Sequence, residues 1–215
     1  MRRQCARPLA KSERVFDTGE VDPLPLSLFA SGEPALASDA TIQRHHLDRT
    51  SWVDISCGWL RGGDELLDEL VRDLPWRHGR RLMWGNWVDE PRFTTGVRLN
   101  GATPLLRTMA SALSTIYATP FDACWCNYYR DGRDSVAWHA DQEGKVRRDP
   151  LVAIVSLGGP RSFALRPMGG GGSRSFTLHS GDLLVMGGST QHHWQHAIPK
   201  CARAAPRLSV TFRRG

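Results

Sequence analysis

His139-Ala140-Asp141 is the first place in this 215-residue chain where residue type and spacing point to chemistry. On an extended segment, residues i and i+2 project to the same face, so an imidazole and a carboxylate converge. A second histidine from a distant strand would complete a set of two imidazoles and one carboxylate. That set leaves coordination positions open and suits non-haem Fe(II). His192, His193 and His196 all fall in one later segment, Gln191-His192-His193-Trp194-Gln195-His196, and spacing does not choose between them. The pattern by itself is weak, because His46-Leu47-Asp48 has the same form. That second copy lies in a Pro- and Ser-rich stretch with no strand pattern around it and is set aside. Without further information, an ordinary surface pair is the competing reading of His139 and Asp141.

A second constellation closes the chain. Arg207-Leu208-Ser209-Val210-Thr211-Phe212-Arg213 alternates, so Arg207, Ser209, Thr211 and Arg213 share one strand face. Two guanidiniums and two hydroxyls turned inward need partners, and an Arg fork matches a carboxylate through two parallel hydrogen bonds. A dianionic ligand would satisfy them. The alternative turns this face to solvent and buries Leu208, Val210 and Phe212 instead.

Such side chains must be held by a scaffold. Leu66, Leu67, Leu70 and Leu74 recur at helical spacing and predict an amphipathic helix ending near Pro75. A second helix is predicted from Pro104 to Tyr117, with Leu105, Leu106, Met109, Leu113 and Ile116 on one face. After Pro120 the pattern turns to short strands at 123–129, 151–157, 161–167, 173–178, 182–186 and 207–213, separated by turn residues such as Asp131-Gly132 and Ser180-Gly181. Many short strands behind helices predict an α+β chain with a double-sheet jelly roll and helices packed on one sheet. The run Gly169–Gly172 reads as a hairpin tip, since no helix follows it to make a phosphate site.

Composition narrows the class. Apolar content of 40% and charged content of 23% are those of a globular protein, and no apolar run approaches the ~20 residues needed to cross a bilayer. The basic start, Met1-Arg2-Arg3-Gln4, is followed by no apolar segment, so no secretory leader is expected. Five scattered cysteines complete no zinc site and predict reduced thiols in a cytoplasm. Net charge of +6 and a pI near 9.4 favour contact with a polyanion such as a phosphate backbone.

Taken in order, these pieces resemble the AlkB-type family of nucleic-acid demethylases. The resemblance runs from about Trp84 to Arg213. It is carried by Asn127-Tyr128-Tyr129-Arg130-Asp131-Gly132, His139-Ala140-Asp141, Ser156-Leu157-Gly158, Phe163-Ala164-Leu165-Arg166, Gly181-Asp182-Leu183, His193-Trp194-Gln195-His196 and Arg207 through Arg213. It implies His139, Asp141 and His196 as Fe(II) ligands, with 2-oxoglutarate and O2 as co-substrates. It also implies that Arg213 holds the far carboxylate of 2-oxoglutarate, with Asn127, Tyr129, Arg207 and Thr211 lining the same pocket. The domain arrangement that follows has a partly ordered extension at 1–50 and a dioxygenase domain at 51–215. Within that domain, a nucleotide-recognition lid is expected at about 80–100 and the jelly-roll core at 120–215.

The implied reaction is oxidative demethylation of N-alkylated bases such as 1-methyladenine and 3-methylcytosine, in DNA or RNA, releasing formaldehyde and succinate. A base inside a duplex must be flipped out or presented single-stranded to meet a buried metal. Glu143 would face the metal ligands and accept from the base's exocyclic amine, or else be a solvated loop residue. Trp84, in Met83-Trp84-Gly85-Asn86-Trp87, matches an aromatic wedge of the family's lid, with Arg92 nearby, though a packing tryptophan fits as well. Arg130, Arg133, Lys145, Arg147 and Arg148 are either phosphate contacts or solvated turns. The expected protein is a cytoplasmic monomer with a nucleic-acid partner and no membrane contact. The competing enzyme reading keeps iron and 2-oxoglutarate but acts on a protein, lipid or small molecule.

Overall fold

Apolar residues occupy both faces of the central strands, and this decides the architecture. The computed structural model describes residues 33–83, 85–141 and 148–215. In β9 (Val152–Gly158), Val152 and Ile154 join one buried cluster while Ala153, Val155 and Leu157 join another. The second cluster also takes one face of helices α1 (Gly63–Asp73) and α2 (Pro104–Tyr117). Helices therefore cover one side of the sheet, and a second sheet covers the other.

The large sheet has the order β2-β3-β12-β9-β14-β7-β6-β5, every neighbour antiparallel. Besides β9, its strands are β2 (Gln43–His46), β3 (Ser51–Ser56), β5 (Arg77–Met83), β6 (Asn86–Val97), β7 (Ala123–Tyr129), β12 (Leu183–Gly188) and β14 (Arg207–Arg213). The facing sheet has the order β11-β10-β13-β8, from β8 (Val136–His139), β10 (Arg161–Pro167), β11 (Arg174–Leu178) and β13 (Trp194–Ile198). Two short strands, β1 (Ala35–Leu36) and β4 (Leu60–Arg61), pair separately, and one helical turn, α3 (Thr190–His193), precedes β13. Phe163, Leu165, Phe176 and Ile198 of the small sheet meet Val53, Ile55, Ile154 and Leu184 of the large one, closing a jelly roll. No helix of the described residues is long and apolar enough to cross a membrane.

Both predicted helices form. Leu74 is extended, as a residue before proline must be, and ends α1. In α2 the buried stripe is Leu106, Met109, Ala110 and Leu113. Ile116, expected on that stripe, is 47% exposed. At 100° per residue it falls to the stripe's edge, and Tyr117 continues the face instead, donating to Asp54 Oδ2 at 3.1 Å. Cys124, Cys126 and Cys201 are free thiols, whereas Cys57 is disulfide-bonded, against the expectation for that residue.

The polar strands are the ones alternation misses. β5 and β6 are charged, and β6 carries Pro91 where the register skips from Arg80↔Asp89 to His78↔Phe93, an irregularity that tolerates the missing N–H. β2 falls inside the stretch read as an extension, yet it pairs with β3 along its length. Its apparent lack of strand character comes from Arg44, whose fork grips the buried Asp54 carboxylate at 2.7 and 2.8 Å.

Asp48 likewise does structural work. Its Oδ1 accepts from the amides of Thr50 and Ser51 at 2.8 and 2.7 Å, closing the β2–β3 turn, and Oδ2 accepts from Trp194 Nε1 at 2.6 Å. Desolvation pushes this carboxyl up, but the donors outweigh it and hold it well below the ordinary range. A carboxyl depressed on folding stabilises the fold above its unfolded pKa of ~3.9, and that contribution is lost as pH falls through the folded value. Asp48→Asn cannot accept at both oxygens. It is expected to lower Tm at neutral pH by about 2–4 °C, from about 1 kcal/mol after discounting for solvent screening. It should also flatten the acid limb of a Tm–pH curve below about pH 4, and an unaltered limb would count against this role.

Candidate active site

His139 is the last residue of β8 and lies directly opposite His196 of β13 in the sheet register. Neighbouring antiparallel strands thus bring together two imidazoles 57 residues apart in sequence, with ring centroids 4.2 Å apart. Asp141 follows two residues beyond β8 and reaches both: Oδ1 is 3.8 Å from His139 Nε2 and Oδ2 is 3.8 Å from His196 Nε2. The three candidate ligand atoms all lie within 4.8 Å of one another, the metal-capable group among the described residues.

Neighbours orient each ligand. His139 Nδ1 lies 2.9 Å from the Ala137 carbonyl, so a proton donated there leaves Nε2 bare for a metal. Burial, then the neighbouring His139 and Arg213, hold His196 well below the usual histidine range, so it is the neutral imidazole that ligates. Phe163 stacks on the same ring at 5.4 Å. Gln191, 3% exposed, accepts from the Asp141 amide at 2.9 Å. The choice left open by spacing is resolved here. His196 faces the cluster, while His192 Nε2 meets the Arg148 carbonyl at 2.8 Å and His193 ends α3.

The cluster opens on a cavity of roughly 370 Å³ between the two sheets. Both faces of β14 are buried: Leu208, Val210 and Phe212 pack toward the helices, and Arg207, Ser209, Thr211 and Arg213 line the cavity. The inward reading of the C-terminal strand therefore holds, and so does the burial of its apolar residues. From β7, Trp125, Asn127 and Tyr129 line the same space, and Arg92 of β6 reaches Asn127 Oδ1 at 3.1 Å. Arg213 Nη2 donates to Asp141 Oδ1 at 3.0 Å and so stands at the metal end. Arg207 begins the strand about 20 Å away at ~3.3 Å per residue. It is 0% exposed, donates through Nε to Ser156 Oγ at 2.9 Å and lies over the Tyr129 ring at 5.3 Å. Its Nη1 and Nη2, like Asp141 Oδ2, are buried without a hydrogen-bond partner among the described residues.

These orphaned atoms test the fit of a metal and a dicarboxylate. Two imidazole nitrogens and a carboxylate with one bare oxygen are a fitting donor set for Fe(II). Two buried guanidinium nitrogens lining the cavity fit a carboxylate.

Several supporting residues escape sequence reasoning. Arg161, 3% exposed, donates to the carbonyls of Asp131, Asp134 and Pro199 at 3.0, 2.9 and 2.7 Å, tying the loop before β8 to the one after β13. Nothing in its local sequence marks it, because all three acceptors are backbone atoms of distant segments. Gln191 is equally unmarked, and Phe163 stands in a segment that carries the resemblance without its stacking role being legible there. Of the basic cluster that offers either phosphate contacts or solvated turns, Arg130 is held by both oxygens of Asp134 at 2.8 Å. Arg133 grips Asp131 at 2.7 Å and draws that carboxyl down to about 2. Both forks are engaged within their own turn. Trp84, Glu143, Lys145 and Arg147 lie outside the described residues.

Residues 65–213 match the family model of the 2OG-Fe(II) oxygenase superfamily. The mouse alpha-ketoglutarate-dependent dioxygenase alkB homolog 3 is 32% identical, over 86% of this chain and 78% of the mouse protein. The human protein of the same name is 31% identical over 72% of this chain, and the Arabidopsis thaliana DNA oxidative demethylase ALKBH2 is 30% identical over 68%. The matches span 62% and 60% of those two proteins, under two thirds of their lengths. Among solved structures, a Trichoplax adhaerens prolyl hydroxylase superposes with a TM-score of 0.59 at 12% identity, covering 75% of this chain and 82% of that one. OsALKBH1 superposes at 0.53 and 14%, covering 80% of this chain and 100% of its own. These two show the fold alone. The chain belongs to the 2OG-Fe(II) oxygenase superfamily and, within it, to the AlkB-type family. It is an Fe(II)- and 2-oxoglutarate-dependent dioxygenase.

Proposed function

We propose that this enzyme oxidatively removes alkyl groups from N-alkylated bases, such as 1-methyladenine and 3-methylcytosine, in DNA or RNA. The observation that carries the reading is a complete His139-Asp141-His196 cluster sharing one cavity with Arg207, in a chain 32% identical to mouse alkB homolog 3. Iron with 2-oxoglutarate and O2 supplies an oxidant able to hydroxylate an N-methyl carbon, yielding succinate and carbon dioxide. The residues of the chain do the placing. His139, Asp141 and His196 hold the metal. Arg207 takes the far carboxylate of 2-oxoglutarate in place of Arg213, because the Arg207 Nη atoms are bare and Arg213 is engaged at Asp141. Arg213 then serves the metal end, with Asn127, Tyr129 and Thr211 along the wall between. The apolar lining from Val152, Ile154, Phe163 and Ile198 keeps bulk water away.

Trp84 as a duplex wedge, Glu143 as acceptor for the base's exocyclic amine and Arg92 as a substrate contact complete the proposal. A cytoplasmic monomer is the working form.

The test is anaerobic reconstitution with Fe(II), then addition of 2-oxoglutarate, O2 and ascorbate. 3-Methylcytosine is followed by mass spectrometry in matched single- and double-stranded DNA, with His139→Ala as the blank. Loss of methyl from both substrates supports repair and the wedge. Loss from single strands alone keeps the chemistry and removes the wedge. Consumption of 2-oxoglutarate without demethylation would move the substrate to another class.

A further inference from the structure

We propose that Trp125 is the platform on which the alkylated base stacks at the rim of the cavity, making it a specificity-determining residue. This rests on the nucleic-acid reading above. β7 sends three side chains into the cavity, and they differ sharply in surroundings. Tyr129 is 2% exposed beneath the Arg207 guanidinium, and Asn127 is engaged by Arg92. Trp125 is 48% exposed, lines the cavity and makes no side-chain hydrogen bond among the described residues.

Register fixes which end it occupies. Trp125 pairs with Thr211 on β14, two residues before the Arg213 that holds Asp141, and with Gly96 on β6. It therefore stands toward the metal end, where a substrate must approach, and Tyr129 stands toward the Arg207 end. Neither a metal nor a dicarboxylate has use for an indole there. Gly96 explains its pose: a Cβ at that position would come within 2.9 Å of Trp125 Cζ3 and 3.2 Å of Cε3. Lacking one, β6 lets the ring lie back against the backbone while its remaining surface faces the cavity. A large π-surface half in water beside a cavity gains most from a flat aromatic ligand. Stacking suits an extruded base because it holds the face, leaves the edge free and adds cation–π attraction for a cationic lesion.

The test uses the full chain loaded with Mn(II) and 2-oxoglutarate without O2, so that binding is read without turnover. Fluorescence anisotropy compares a labelled single-stranded oligonucleotide carrying one 3-methylcytosine with its unmethylated twin. Trp125→Ala is expected to weaken binding of the methylated strand about tenfold, within the range for loss of one stacked base, and to move the unmethylated strand far less. Trp125→Phe should restore most of the loss, and Gly96→Ala, which displaces the indole without removing it, should fall between. Undiminished binding by Trp125→Ala, or equal weakening of both strands in Trp125→Ala and Trp125→Phe, would overturn the platform. A wild-type protein that fails to distinguish the two strands would overturn the substrate reading itself, and the platform with it.

Discussion

Replacing Arg207 with methionine is expected to raise the melting temperature of the ligand-free protein while abolishing its response to 2-oxoglutarate. The guanidinium is wholly buried, its Nη1 and Nη2 have no hydrogen-bond partner within geometric limits among the described residues, and burial, with Arg161 nearby, lowers its pKa against the opposing pull of Tyr129. A desolvated charge without a full partner set costs several kcal/mol, and an apolar side chain of similar length removes that cost. Against this stands the lost bond from Nε to Ser156 Oγ, worth about 1 kcal/mol. The balance favours methionine by about 1–3 kcal/mol, or a rise of several °C for a domain of this size. Affinity moves the other way. Two charge-assisted hydrogen bonds of about 1.5–3 kcal/mol each correspond to a loss of roughly 10²–10⁴-fold in 2-oxoglutarate binding. Thermal melts with and without 2-oxoglutarate in Mn(II) read both effects, since a ligand at about 100 times its Kd stabilises by about 2.7 kcal/mol. A methionine variant that 2-oxoglutarate stabilises as much as wild type would remove Arg207 from the co-substrate site.

The second large effect is expected at Asp141. Asp141→Asn keeps the shape but removes the anionic ligand and neutralises the partner of Arg213 at 3.0 Å. Loss of a residue that merely supports a ligand costs about 10–100-fold in metal affinity, so loss of the ligand itself should exceed about 100-fold. Turnover should fall below detection under limiting iron. Mn(II) binding followed by electron paramagnetic resonance checks this without catalysis, and unaltered affinity would mean that the metal sits elsewhere. Because Asp141 is 8% exposed and accepts from Arg213, a fall in Tm should accompany the loss. Losing the charge-assisted hydrogen bond from Arg213 to a buried carboxylate weakens the fold even though the guanidinium keeps other contacts.

How far these sites could be read in advance depended on the kind of signal each residue carried. β7, β10 and β14 run from Ala123 to Tyr129, Arg161 to Pro167 and Arg207 to Arg213, the bounds expected from alternation and turn residues. β5 and β6 do not read as strands, because Arg77-His78-Gly79-Arg80-Arg81 is basic with a central glycine and Pro91 interrupts the other strand. β2 hid for a related reason: Arg44 looks solvated until Asp54, ten residues on, is seen to hold it. Charged strands at a sheet edge follow no period-two burial, so periodicity is silent about them.

The chain by itself determined the helices, the core strands, the pairing of His139 with Asp141 on one face and the sharing of a face by Arg207 and Arg213, all consequences of local period. It did not determine which of His192, His193 and His196 completes the metal set, or whether the arginine face turns inward. Nor did it place Arg207 and Arg213 at opposite ends of one cavity, or show that Trp125 stands at the rim. Those were decided by the β8–β13 register that sets His139 against His196, the β7–β14 register that sets Trp125 beside Thr211, and the helices that bury the opposite face of β14. Local spacing says which side chains travel together. Long-range pairing of strands says what they meet, because a one-residue slip in register would exchange every inward side chain for its outward neighbour.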